Sequence, residues 1–127
     1  MNEDEIKQSS HDPEIKLDMI ASLDDNWNNN GAKAFSSSLI MKTRNIISSL
    51  NIQPEIFPTA CESIQLEYTK PDGSYLEIEI SESEYVEIFI INSDGTNHTT
   101  NVRSVNTIND VVKKFMSDTM PSMNIIN

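Results

Sequence analysis

Cysteine, histidine, glycine and basic residues are all scarce in this chain of 127 residues. A single cysteine, Cys61, leaves no intramolecular disulfide and suits a reducing compartment. Three glycines cannot furnish a phosphate-binding loop, and no G-x-x-x-x-G-K-[ST], G-x-G-x-x-G or G-x-S-x-G occurs. His11 and His98 stand far apart, in neither H-x-x-x-H nor H-E-x-x-H spacing. Cys61 has no histidine or base beside it to make it a thiolate, so it is expected as a small packed residue rather than a nucleophile. No run approaches the roughly 18 apolar residues of a membrane span, and the first residues, MNEDEIKQSS, are acidic rather than basic-then-apolar. Neither a transmembrane helix nor a secretory leader is expected, and the location expected is the cytoplasm. No cofactor and no catalytic set is called for.

The shortage of bases has the largest consequence. Twenty acids against nine bases give a net charge of −11. Direct contact with nucleic acid or with an anionic membrane needs clustered Lys and Arg, so both are excluded as expectations. A charged partner should be basic. Acidity also keeps small proteins dissolved, so composition alone leaves both readings standing.

What is present is a clear change of period along the chain. Asp12-Pro13 starts a helix with an N-cap and a first-position proline, and Ile15, Met19, Ile20 and Leu23 supply an apolar stripe. A second helix is predicted from Ser36–Ser38, with Leu39, Thr43, Ile46, Ile47 and Leu50 at helical spacing. Pro54 and Pro58 bracket Glu55-Ile56-Phe57, an extended edge piece. From Ser63 the pattern alternates strictly: Ile64, Leu66 and Tyr68, then Leu76, Ile78 and Ile80, then Val86, Ile88 and Ile90. Pro71-Asp72-Gly73 and Ser93-Asp94-Gly95 mark the turns, and a polar last strand runs from Thr96 to Arg103 with Val102 inward. Thr107 is expected to cap a final helix with Asp110 as its capping-box partner and Ile108, Val111, Val112, Phe115 and Met116 as its stripe. The expected fold is α+β in two layers: an antiparallel meander of four to five strands with helices on one face, in the order α-α-β-β-β-β-α. It should form one domain over residues 12–119 between an acidic flexible tail, 1–11, and a second flexible tail, 120–127.

The stretch DDNWNNNGA, residues 24–32, holds the only tryptophan. Asn26, Asn28, Asn30 and Gly31 fall at positions 1, 3, 5 and 6 of a calcium-loop count, with Ser37 at position 12. Neutral amides are weak ligands for a hard dication, and the bidentate Glu is missing, so no metal is expected. The structural reading makes Trp27, Asn28, Asn30 and Gly31 a structural loop: Asn and Gly tolerate left-handed backbone, Asx turns satisfy local amides, and Trp27 plugs the junction of the two helices with the sheet.

Trp27, Gly31-Ala32, the following helix, Ile64-Gln65-Leu66-Glu67-Tyr68 and Tyr75-Leu76-Glu77-Ile78 together resemble a group of small bacterial and phage proteins. Their pattern is W-x-G-x-G-A-x-P, a helix and an L-E-W hairpin, and the likeness extends over residues 19–91. Asn29 stands at the first Gly of that pattern, and its Pro is missing near Phe35. The resemblance implies a bacterial or phage-infected host and transfers no site residue.

The functional colour lies on the outward positions of the strands. From Glu62 to Asp94 there are nine acids and one base, Lys70. With Pro71-Asp72-Gly73 as the loop, Thr69 should face Tyr75, Glu67 should face Glu77, and Gln65 should face Glu79. With Ile80 facing Val86, Glu79 should face Glu87 and Glu77 should face Phe89. Glu67, Glu77, Glu79 and Glu87, interleaved with Tyr75, Tyr85 and Phe89, suit a partner rich in Arg and Lys. An ordinary solvated face reads equally well, and a second copy over Tyr85, Phe89 and Ile91 would make a homodimer. Two classes of function follow. One is a non-catalytic inhibitor of anti-CRISPR, antitoxin or immunity type that occupies the basic nucleic-acid surface of a nuclease or CRISPR effector. The other is a self-associating accessory or assembly protein.

Overall fold

The computed structural model describes residues 12–117, so the tails expected at 1–11 and 120–127 and His11 lie outside the described residues. Among the described residues three helices accompany a five-stranded antiparallel sheet: α1 (Pro13–Ala21), α2 (Ser37–Ser49), β1 (Glu55–Pro58), β2 (Ile64–Thr69), β3 (Tyr75–Ile80), β4 (Val86–Ile91), β5 (Asn97–Val102) and α3 (Val105–Ser117). The strands lie side by side in sequence order, an open α+β meander. The short piece bracketed by prolines is a full member of the sheet, which makes the strand count five.

Alternation decides which face is buried. Ile56, Leu66, Ile78 and Ile88 are aligned across four strands, and none is exposed to solvent. Ile64, Ile80 and Val86 form a parallel row, and these side chains join Leu39, Ile46, Ile47, Ile108 and Val112 from the helices in one core. Each buried side chain of this size contributes about 1.5–3 kcal/mol relative to exposure. The strand register expected from the two turns is the register observed, pair for pair.

Both tight turns are built alike. Gly73 and Gly95 sit at φ +90° and +89°, where a side chain would be strained, and their amides donate to the Lys70 and Asn92 carbonyls. Asp72 accepts from the amide of Ser74 at 2.9 Å and also from its hydroxyl, as Asp94 does from Thr96.

Two helices differ from expectation. The α1 stripe is rotated: Lys16, Leu17 and Ile20 are buried, while Ile15 is 50% exposed. The face that carries Leu17 and Ile20 turns into the core, and on the exposed flank Glu14 and Asp18 pair with Arg44 of α2 at 2.6 Å and 2.8 Å. Ile15 is thereby left on the outside. In α3, helix begins at Val105, and the Ile108 amide closes the first turn on the Ser104 carbonyl at 3.1 Å. Thr107 is therefore inside the helix rather than at its cap; the earlier start draws Val105 partly into the core boundary. Among the described residues no helix is long and apolar enough to cross a membrane.

Candidate functional site

The sheet face opposite the core collects the carboxylates. Glu55, Glu67, Glu77, Phe89 and Thr99 form one row across all five strands. Phe57, Gln65, Glu79, Glu87 and Asn101 form the next. Tyr75 lies in a third row, between Thr69 and Ile91. Strands are about 4.8 Å apart and alternate residues about 6.7 Å apart along a strand, so five carboxylates share a small patch. The face thus brings together Glu67, Glu77, Glu79, Glu87, Tyr75 and Phe89.

Glu55 extends the array by one strand and was not among the residues singled out from sequence. Its signal was there: alternation with Ile56 puts it on the outer side, but pairing with Glu67 required the β1–β2 register.

Two of the carboxylates, Glu77 and Glu79, are held by neutral donors. The Tyr75 hydroxyl donates to Glu77 at 2.8 Å, and the Gln65 amide donates to the other oxygen at 3.3 Å. Ser63 donates to Glu79 at 2.7 Å. These bonds orient the acids without cancelling their charge. Burial, then the bond to Glu77 and the nearby charge of Glu67, push the Tyr75 hydroxyl well above the usual phenol range, so it remains a donor.

Three bases are engaged away from this face. Arg44 holds Glu14 and Asp18; Lys42 donates to the carbonyls of Ser81, at 2.8 Å, and Ser83; Lys70 donates to the Phe115 carbonyl at 2.6 Å. Among the described residues no ion pair reaches Glu77, Glu79 or Glu87. Lys16 comes to the rim of the face, its ammonium 4.4 Å over the Phe57 ring. Away from the sheet face, Glu82 accepts from Ser36 and Ser38 at the start of α2, and those bonds hold its carboxyl below the usual range.

Tyr85 precedes β4 rather than lying in it. Arg103 covers its ring at 4.6 Å and donates to its hydroxyl at 2.6 Å and to Glu84 at 3.1 Å. With Glu79, Glu87, Ser81, Ser83 and Asn101 it borders a shallow cavity of about 330 Å³. One corner of the acidic face is therefore concave, and it already carries an arginine stacked on an aromatic ring.

The asparagine loop turns its oxygens inward on itself. Asn28 accepts from the amides of Asn30 at 2.9 Å and Ala32 at 3.0 Å, Asn26 from Gly31 at 2.8 Å, and Asp25 from Ala34 at 2.9 Å. Asn26, Asn29 and Gly31 take positive φ. Trp27 is 7% exposed, tilts against Phe35 at 5.9 Å and donates its indole N–H to the Lys33 carbonyl at 3.1 Å. The loop is a connector pinned by Trp27. Cys61 corrects its expectation: it is exposed, because it falls in the β1–β2 turn, where its amide donates to Thr59. His98 is on the core side of β5, also exposed.

Compared with protein-family models, with curated proteins and with solved structures, the chain matches none.

Proposed function

We propose that the protein is a non-catalytic interaction protein whose acidic sheet face docks on a basic protein surface, and that it acts as an inhibitor by occupying the nucleic-acid channel of a nuclease or CRISPR effector. The observation that carries this reading is the Glu55–Glu67–Glu77 row flanked by the Glu79–Glu87 pair, with Glu77 and Glu79 oriented by neutral donors and, among the described residues, no ion pair to Glu77, Glu79 or Glu87. Like charges directly opposite on neighbouring strands cost about 0.2–1 kcal/mol per pair, so the array is retained at some expense in stability. A guanidinium-rich groove offsets that repulsion on binding, and Tyr75 and Phe89 add ring faces for arginine. The bacterial or phage setting implied by the Trp27 loop and hairpin pattern is one in which such nucleases are at hand.

The test is competition. The purified protein should not shift any oligonucleotide in a gel at physiological salt. It should displace nucleic acid from one member of a panel of purified nucleases and CRISPR effectors, with affinity falling steeply as salt rises. Retention of oligonucleotide by the protein itself, or binding to a nuclease that leaves its nucleic acid in place, would overturn the reading.

A further inference from the structure

The two edges of the sheet are unlike. The alternation of ladder bonds is fixed at each hairpin by one observed bond: the Asn92 amide on the Thr96 carbonyl, and the Thr59 amide on the Ser63 carbonyl. In β5 it follows that His98, Thr100 and Val102 bond inward to β4, while the N–H and C=O groups of Asn97, Thr99 and Asn101 point to the free edge. In β1 the residues facing out are Ile56 and Pro58, and proline has no N–H to offer. That strand has four residues, and α1 packs against it. One edge is closed. The other is six residues long, carries no proline and no Asp, Glu, Lys or Arg, and is exposed from Asn97 to Asn101. Sheet proteins ordinarily blunt such an edge with charge, proline or a covering element.

We propose that two copies of this chain pair through β5, as a two-fold antiparallel seam centred on Thr99. Strands in one continuous sheet must set outer residues opposite outer residues, which selects centres that fall on a residue. With Thr99 on the axis, Asn97 faces Asn101 of the second copy, Thr99 faces Thr99, and Asn101 faces Asn97. All three are residues whose amide and carbonyl point outward, so each pair exchanges both of its N–H···O=C bonds. Threonine beside threonine is a favourable cross-strand pair.

The charge distribution selects the same occupant. This strand is the one part of the sheet where a molecule of net charge −11 can meet its own copy without setting carboxylates against each other. The nearest outer-face acid, Glu87, lies one strand in, so the two Glu87 side chains are about 20 Å apart, three strand spacings across the sheet and four residues along it. That exceeds the Debye length of about 8 Å at physiological salt. On the core side, His98 and Thr100 of β5 border a cavity of about 350 Å³ with Val111 and Phe115 of α3, and the second copy's β5 extends that wall. Because the β1 edge is closed, growth stops at two copies, an isologous dimer rather than a filament. The seam leaves both acidic arrays on one continuous outer face, and it stands or falls separately from what that face binds.

Sedimentation of the wild-type chain and three variants tests the seam. The wild type should sediment at twice the chain mass. Thr99→Pro removes an N–H that faces away from β4, so it should keep the wild-type circular dichroism and sediment as a monomer. Thr99→Lys and Thr99→Glu each set like charges on the axis and should be monomers alone. Mixed one to one, they should recover the dimer, which only a seam with Thr99 opposite itself produces. A monomeric wild type, which would leave the edge to a strand of another protein, overturns the proposal. So does a dimer that survives Thr99→Pro, or a lysine–glutamate mixture that stays monomeric.

Discussion

Lys16 is the residue whose placement runs most against its chemistry. It is 1% exposed, and among the described residues its ammonium has no hydrogen-bond partner, only the face of the Phe57 ring at 4.4 Å. Removing an ammonium from water without full pairing is costly, and a ring face returns only about 0.5–2 kcal/mol. Lys16→Met keeps the length of the stem and discards the charge. It should raise the unfolding free energy by about 1–4 kcal/mol in urea titration, the range found when buried charges give way to apolar groups. Trp27→Ala should do the opposite and cost about 3–5 kcal/mol, since it empties a packed site and frees the Lys33 carbonyl. Calcium should leave the melting temperature unmoved, because the loop oxygens are already bonded to its own amides. The tryptophan plug was legible because a large aromatic in an Asn-Gly stretch has few other uses. Lys16 was not, because inward-facing lysine is read as solvent-facing until tertiary packing says otherwise.

At the scale of elements, legibility followed the strength of the local signal. The β2–β3 pairing was readable to the residue because period-2 alternation and the Asp72-Gly73 turn agree, and the β3–β4 pairing, joined by Ser81–Tyr85, followed from setting Ile80 opposite Val86. The rotation of α1 was not, because a nine-residue helix takes its orientation from packing on α2 and β1, elements distant in sequence, and four apolar residues do not fix its inner face alone. The start of α3 was placed at Thr107, a good cap by residue type, whereas the helix begins at Val105 with its first turn closed on the Ser104 carbonyl. The turns also carry a pH dependence. Asp72 and Asp94 are held below the usual carboxylate range, first by the hydroxyls and then by the amides of Ser74 and Thr96, and Glu82 by Ser36 and Ser38. In each case the unfolded chain binds the proton more readily than the folded one. The stabilisation is therefore complete above the ordinary carboxylate values and is lost as pH falls through the depressed folded ones. Melting temperature followed from pH 6 down to pH 2 should fall more shallowly for the Asp72→Asn, Asp94→Asn, Glu82→Gln triple variant than for wild type. Parallel curves would mean that these bonds do not persist in solution.

For the whole molecule, the sorting of charge was only half visible in the sequence. The run of acids from Glu62 to Asp94 announced a negative face, but Glu82 and Glu84 within that run turn out to bind Ser36, Ser38 and Arg103, while Glu55 outside it joins the array. Glu77 and Glu79 also accept hydrogen bonds from Tyr75, Gln65 and Ser63, so reversing them to lysine would remove structural contacts along with charge. Glutamine removes the charge and keeps one acceptor oxygen, enough for the Ser63 bond at Glu79 and the Tyr75 bond at Glu77, where the long Gln65 bond is given up. The most direct measurement is therefore capture of proteins from a bacterial host, and from a panel of purified nucleases, by wild type and by the Glu67→Gln, Glu77→Gln, Glu79→Gln, Glu87→Gln variant side by side, with a melting curve for each. The variant should melt at or above the wild-type temperature, because the opposed like charges are relieved. It should also lose a basic partner that the wild type retains in a salt-sensitive manner. Equal capture of the same proteins by both forms would contradict the acidic face as a binding surface.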